Sequence, residues 1–396
     1  MDARRFAALL TLAAVTAGPA SSRAAAPMAP LVVPIDIVGG HIFVNARLNG
    51  GTPLRFAIDT GAGDVLASDD ADALGLRGGH PYRVYGTGER PQTARTVHVD
   101  AVDVGGAVLR DQHFTVLSFT DLRAAEGIQH FDGLIGHELF DRYIVRIDYT
   151  ARTLTLFDPG DATPFQGSGA ELQLAFYGTM PEVNGDVDGV SGPFTLDTGD
   201  RGSVSLLVPF VQKNELQQRY HPSAEGIAGW GIGGPVRAKL TRAAHVHIGT
   251  FDIAEPVTRI PQSRHGFFAG GSVAANIGYG VLHRFTLTFD YGHRRLRLLP
   301  DADYASPDVY DRSGMWLIDK GEGFAVADVI GGGPAAAAGL RPGDVIRSID
   351  GRPASEIGLA AERDAFVREP LGTRVTLHIE RSGAPLDVVL TLRDVV

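Results

Sequence analysis

Phe56-Ala57-Ile58-Asp59-Thr60-Gly61 recurs 138 residues later as Phe194-Thr195-Leu196-Asp197-Thr198-Gly199. A lone Asp-Thr-Gly reads as an ordinary turn, because Asp and Gly are common turn residues. A repeated one changes the meaning of everything around it. Upstream, Asn45 lies 14 residues before the first Asp and Asn184 lies 13 before the second. Downstream, Leu134-Ile135-Gly136 is answered by Asn276-Ile277-Gly278, with Asp-to-Gly distances of 77 and 81 residues. Twelve residues beyond each Gly stands an Asp-Tyr pair, Asp148-Tyr149 and Asp290-Tyr291. Four landmarks in the same order mark a duplicated unit.

The copies set the boundaries. Lobe one is expected over residues 30–158, a turn-rich connector follows to Gly169, and lobe two is expected over 170–300. A third segment is expected over 308–396. The 50 glycines and short β-branched or aromatic runs, such as 143–147 and 285–289, predict mainly β structure. At the N-terminus, Arg4 and Arg5 precede an apolar run from Phe6 to Ala17 and then small residues, the layout of a signal peptide over 1–25. Export, to the periplasm or outside the cell, is therefore expected, with no stable membrane span. The net charge is −10, and loss of residues 1–22 would leave −11, because Arg4 and Arg5 outweigh Asp2 by one charge. Such a surface repels phosphate backbones and excludes nucleic acid as an expected partner. With no cysteine, disulfides and thiolate chemistry are excluded.

Each Asp-Thr-Gly follows an apolar run, so each Asp falls where a strand gives way to a turn, and the glycines let the backbone bend sharply. If the lobes pack about a pseudo-twofold axis, Asp59 and Asp197 face one another. Like charges about 3 Å apart cannot both ionise, so one proton is shared and a water between them can be activated. That chemistry requires no metal and no cofactor.

These motifs resemble the aspartic peptidase superfamily that includes pepsin and the retroviral proteases, over residues 30–300. The resemblance implies a bilobal pair of β-barrels and an endopeptidase acting on peptide or protein substrates. It implies that Asp59 and Asp197 are catalytic and that Thr60, Gly61, Thr198 and Gly199 support the dyad. Leu134-Ile135-Gly136 matches the family's apolar-apolar-Gly support, and Asn276-Ile277-Gly278 departs from it with a polar Asn276. Tyr85-Gly86-Thr87-Gly88 is similar to the pepsin flap, whose Tyr lies near the catalytic water, and Trp230 marks a looser flap in lobe two. The lobes are short, like two fused retroviral-type units. Ala62 follows the first motif. Asp200 follows the second, read either as an outward turn residue, the favoured reading, or as a third carboxylate that raises the dyad's pKa. An activity optimum nearer neutral than pepsin's is expected.

From Asp311 the texture changes. Gly333-Pro334-Ala335-Ala336-Ala337 reads as a short helix ended by Gly339, with a strand from Val345. This segment resembles bacterial PDZ domains, which add a peptide as an extra strand and hold its carboxylate in backbone amides. The resemblance implies a peptide-binding loop at Gly314, Met315, Trp316 and Leu317, a helical wall from Leu359 to Val367, and a C-terminal peptide as ligand. Trp316 stands where the family has Gly. Other signals have plain readings. The glycines from Gly229 to Gly234 fit a dinucleotide pattern without its βαβ setting. His245 and His247 alternate on one strand face with no third ligand. Asp148 and Asp290 read as hairpin-turn residues. No Gly-x-Ser-x-Gly anchors serine-hydrolase chemistry. Two further readings stay open: a non-catalytic exported peptide-binding adaptor, and pairing of a lobe with its twin in another molecule.

Overall fold

A computed structural model describes residues 29–222 and 224–396; the expected signal peptide lies outside them. The described residues are mainly β, arranged in four sheets.

One sheet joins the two copies. Its six strands run in the order Leu31–Pro34, Thr153–Phe157, Ile144–Asp148, Phe285–Asp290, Arg295–Pro300 and Ala170–Gln173. Three come from each copy, and they meet where Ile144–Asp148 pairs antiparallel with Phe285–Asp290, Val145 facing Phe289 and Ile147 facing Leu287. Those four side chains are fully buried. β-Branched and aromatic residues fit such a pleated, two-sided surface, which is why both copies carry them at equivalent places.

Within lobe one, Leu54–Ile58 lies parallel to Gly133–Ile135 and antiparallel to His41–Leu48. A strand flanked on both sides reads as continuous hydrophobics, and Phe56, Ala57 and Ile58 are all buried. The sheet closes on itself because His41–Leu48 also pairs with the long strand Gln92–Val104. In lobe two the same core recurs: Val190–Leu196 lies parallel to Ala275–Ile277 and antiparallel to Met180–Val187. Here the sheet runs outward into the hairpin of Ala224–Gly231 and Gly234–Arg242.

That hairpin contains the glycines of the dinucleotide-like pattern. A turn between Gly231 and Gly234 joins two strands, and no helix follows it, so the pattern has no phosphate-binding geometry.

The C-terminal segment forms its own six-stranded sheet, with Met315–Asp319 at one edge. Pro334 starts the short helix Pro334–Ala337, and left-handed Gly339 follows it at φ +81°. The strand Val345–Ile349 comes next, and the helix Leu359–Arg368 packs Leu359 and Phe366 into a separate core with Leu317, Phe324, Ile346 and Leu377.

Since both lobes contribute to one sheet, they should melt together. Phe289 is fully buried against Phe140, ring centroids 5.5 Å apart. Phe289→Ala is expected to destabilise both lobes by about 3–5 kcal/mol in one cooperative urea transition. Two separated transitions for the lobes would contradict the shared-sheet account.

Candidate active site

Each Asp-Thr-Gly turn leaves its strand at the same point. The amide of Asp59 donates to Ile135 O at 3.0 Å, and that of Asp197 to Ile277 O at 2.8 Å. The next residue then locks the opposite turn. Thr60 Oγ1 donates to Leu196 O at 2.7 Å and accepts from the Thr198 amide at 2.9 Å. Reciprocally, Thr198 Oγ1 donates to Ile58 O at 2.8 Å and accepts from the Thr60 amide at 3.1 Å. Both threonines are buried, where an unmade hydrogen bond would be expensive. The two turns are thereby fixed against each other within a single chain.

The carboxylates consequently cross the axis. Asp59 Oδ1 accepts from the Gly61 amide at 2.8 Å, and Asp197 Oδ1 from the Gly199 amide at 3.0 Å. A Cβ on Gly61 would stand 2.7 Å from Asp197 Oδ1, and one on Gly199 would stand 2.4 Å from Asp59 Cγ. Only glycine leaves room for the facing carboxylate. Burial raises the Asp59 pKa, with the nearby charge of Asp200 adding to it. Burial, and then the charge of Asp59, push Asp197 well above the usual carboxylate range. The pair titrates as a unit that holds a proton.

Asp200 does not point outward as an ordinary turn residue. Its Oδ2 is bonded to the Arg259 guanidinium and also accepts from Asn276 Nδ2 at 3.0 Å. Asn276 Nδ2 donates equally to Asp197 Oδ2 at 3.0 Å, so one amide bridges the dyad and the third carboxylate. Burial pushes Asp200 up, but Arg259 outweighs it and holds the carboxyl below its ordinary value. The polar residue in the supporting element thus has a specific partner on each side. Its register neighbour is Thr195, whose hydroxyl donates to Asn276 Oδ1 at 2.7 Å; lobe one has Ala57 beside Leu134 in that place.

Behind the first turn lies another acid pair. Asp64 Oδ1 accepts from the Gly136 amide at 3.1 Å, and burial together with the neighbouring Glu138 raises Asp64 well above the carboxylate range.

A roof covers the dyad. Gly86 and Thr87 of the first flap meet the tip of the lobe-two hairpin, where the Gly88 amide donates to Ile232 O at 3.0 Å and the Arg90 amide to Gly233 O at 3.1 Å. The cavity beneath is about 180 Å³, lined by the dyad, Trp230, Ile232, Leu122, Phe131 and His41. Tyr85 is placed differently from the flap Tyr of the resemblance: it is 56% exposed at the outer mouth and stacks on His265. Sequence reasoning missed His41, a buried histidine 3.7 Å from the Glu126 carboxylate, and missed Arg259. Nothing near either residue in the chain marks it out. For Asn276, comparison of the two copies shows the departure, although not its partner.

The expected peptide-binding loop is engaged by its own chain. Gly314 is left-handed at φ +67°, Met315, Trp316 and Leu317 are buried, and Leu317 O accepts from Arg363 of the helix Leu359–Arg368. His245 and His247 share an exposed strand face, where His245 Nδ1 is 2.9 Å from Asp252. Among the described residues, no cluster of three or more ligands suits a metal ion. Asp148 and Asp290 each accept an amide of the following turn, from Ala151 and His293.

Residues 44–139 match the family model described as aspartyl protease, and residues 326–381 match that of the PDZ domain. The periplasmic pH-dependent serine endoprotease DegQ of Escherichia coli (strain K12) is 39% identical over 129 residues, 31% of this chain and 27% of that protein. A probable periplasmic serine endoprotease, DegP-like, of Hahella chejuensis is 40% identical over 83 residues, 21% of this chain and 17% of that one. The chain thus spans about a quarter or less of the length of these relatives. It carries an aspartyl protease domain at residues 44–139 and a C-terminal PDZ domain at residues 326–381.

Proposed function

We propose that the chain is an aspartic endopeptidase, exported to the periplasm, in which Asp59 and Asp197 activate one water for attack on a peptide bond. The observation that carries this reading is the reciprocal threonine lock, which sets each carboxylate against the glycine of the other turn. The ionised member takes a proton from water, and the resulting hydroxide attacks the scissile carbonyl carbon. The protonated member polarises the carbonyl oxygen and carries the charge that develops there. Proton return to the amide nitrogen then lets the C–N bond break. Every atom in this scheme comes from two side chains, the substrate and one water.

The relatives named above are serine endoproteases, yet the protease-family match falls on residues 44–139, which include Asp59. The periplasmic setting is inferred from the names of those relatives and the sequence of the N-terminus. Among the described residues no helix is long and apolar enough to cross a membrane. Substrate is an extended polypeptide, since the cleft is lined by backbone-rich flap tips on one side and the dyad on the other. The PDZ domain carries a second peptide-binding edge at Met315–Asp319, which its own chain occupies while the domain is docked and which a peptide reaches on release.

Asp59→Asn and Asp197→Asn are each expected to lower kcat/KM on a denatured protein by on the order of a thousandfold or more. A pepstatin-type inhibitor should block the wild type. Retained cleavage in both variants would overturn the dyad, and a wild type inactive from acid to mildly alkaline pH would favour the peptide-binding adaptor.

The pH profile tests the surroundings of the dyad. Burial raises both carboxyls, the charge of Asp200 adds to it at each and that of Asp59 at Asp197, so the optimum should lie above about pH 4, the ordinary carboxylate value. Asn276 donates to the ionised form and so lowers the dyad's pKa. Asn276→Leu removes that donor, the first ionisation moves up, and the acid limb of kcat/KM should shift to higher pH by on the order of one unit. An unmoved limb, or one shifted to lower pH, would show that the amide does not tune the dyad.

A further inference from the structure

The hairpin that roofs the dyad from lobe two is also the surface on which the PDZ domain rests. Trp230 in Ala224–Gly231 stacks on Trp316 of the PDZ edge strand, ring centroids 6.5 Å apart with 19° between planes. They are the chain's two tryptophans. Farther down the hairpin, the PDZ residue Asp328 accepts from the Ile227 amide at 2.6 Å and from Arg237 at 3.0 Å. Ile330 packs among Ala224, Ala228, Ala238 and Leu240 of the same two strands. The hairpin is therefore gripped at its tip, its middle and its base.

Lobe one closes the other side of this contact. Glu126, at the end of the helix Thr120–Glu126, is fully enclosed between Arg201 of the second catalytic turn at 2.9 Å and Arg363 of the PDZ helix at 3.8 Å. Burial opposes its ionisation, but Arg201, His41 and Arg363 together hold it down at about 2. Both guanidinium groups also lie over the Trp316 ring, at 5.7 and 4.6 Å. A Cβ on Gly127 would stand 2.5 Å from Leu359 Cβ, so lobe one meets the PDZ helix with no space between them.

We infer that the PDZ domain is a latch on the roof of the cleft: docked, it holds the lobe-two hairpin down against the first flap, and substrate enters when the latch lifts. The flap tips meet through two backbone bonds, and beneath them Trp230 and Ile232 are only partly buried against the lobe-one cluster of Leu122, Phe131 and Leu134, a small rim contact whose opening costs far less than unfolding a lobe. A rigid neighbour bonded along the whole hairpin removes that freedom. The grip uses side chains on the outer face of the PDZ domain, Trp316 and Asp328, which take no part in its internal core. The two states are therefore alternative dockings of intact domains rather than partial unfolding.

Hydrogen exchange on the full chain tests the latch without reference to activity. In Asp328→Ala, and separately in Trp316→Ala, the Gly88 and Arg90 amides should exchange on the order of tenfold faster than in wild type, while amides of Leu359–Arg368 remain protected. Cleavage of an unfolded protein such as casein should show a severalfold rise in kcat/KM. In Asp328→Ala, near-UV circular dichroism reads the tryptophan pair directly. A lost tryptophan signal with unchanged Gly88 and Arg90 exchange would overturn the latch. So would faster roof exchange with kcat/KM equal to wild type or below it. The inference depends on the peptidase reading only for its consequence in turnover. If wild type cleaves nothing, that reading fails, and the exchange result still decides whether the PDZ domain holds the roof.

Discussion

Two threonine hydroxyls, each donating to the other lobe's backbone and accepting from the other lobe's amide, hold together a site that electrostatics would push apart. Asp59 and Asp197 are like charges in a water-poor cleft, and repulsion alone would separate the turns that carry them. The buried Thr60 and Thr198 bonds cannot be exchanged for bonds to water without opening the lobe interface. The shared six-stranded sheet supplies the same constraint from below, with Val145 and Ile147 packed on Phe289 and Leu287. Since the turns cannot move away, the pair relieves its repulsion by holding a proton. Structural rigidity is thus converted into a chemical property.

The neighbouring charges sharpen this outcome. Asp200 is matched by Arg259, and Glu126 by Arg201 and Arg363, so each of these carboxylates remains ionised beside a cation. Each is lowered in pKa although buried. The dyad has no guanidinium of its own among these contacts; it has amide donors, from Gly61, Gly199 and Asn276. Amides orient a carboxylate but do not cancel its charge. The protonation equilibrium in the cleft therefore falls on Asp59 and Asp197, while Asp200 and Glu126 keep fixed charges.

Much of this was legible in the chain. The paired Asp-Thr-Gly motifs, the similarly spaced glycines and the repeated Asp-Tyr pairs defined two related units, while the sheet in which strands of one meet strands of the other was not read from the chain. The Pro334 to Gly339 helix and the strand from Val345 were also readable, because proline and glycine act locally. What stayed hidden depends on tertiary approach. Asn276 registers as a departure from Leu134, but its bridge between Asp197 and Asp200 needs Thr195 on the adjacent strand to orient the amide. Arg259 is 59 residues from Asp200, and Glu126 is 75 from Arg201, with no motif linking either pair. Tyr85 shows the converse: the local hairpin pattern is present, while contact with His265 turns the ring to the outer mouth.

The copies also differ where their symmetry meets a partner that exists once. Lobe one closes its sheet through His41–Leu48, whereas lobe two extends Ala224–Gly231 and Gly234–Arg242 away from its core. Only the extended hairpin offers a flank long enough for Asp328, Ile330 and Trp316 to hold together. A single C-terminal domain cannot treat two related flaps alike, so beyond its own lobe the first flap meets lobe two, through Ile232, Gly233, Phe267 and the Glu89 bond to the Arg264 amide. The dyad is symmetric because both carboxylates must meet on one axis. The roof is asymmetric because only one side of that axis carries a domain to hold it, and the exposed Tyr82 and Tyr85 belong to the side without one.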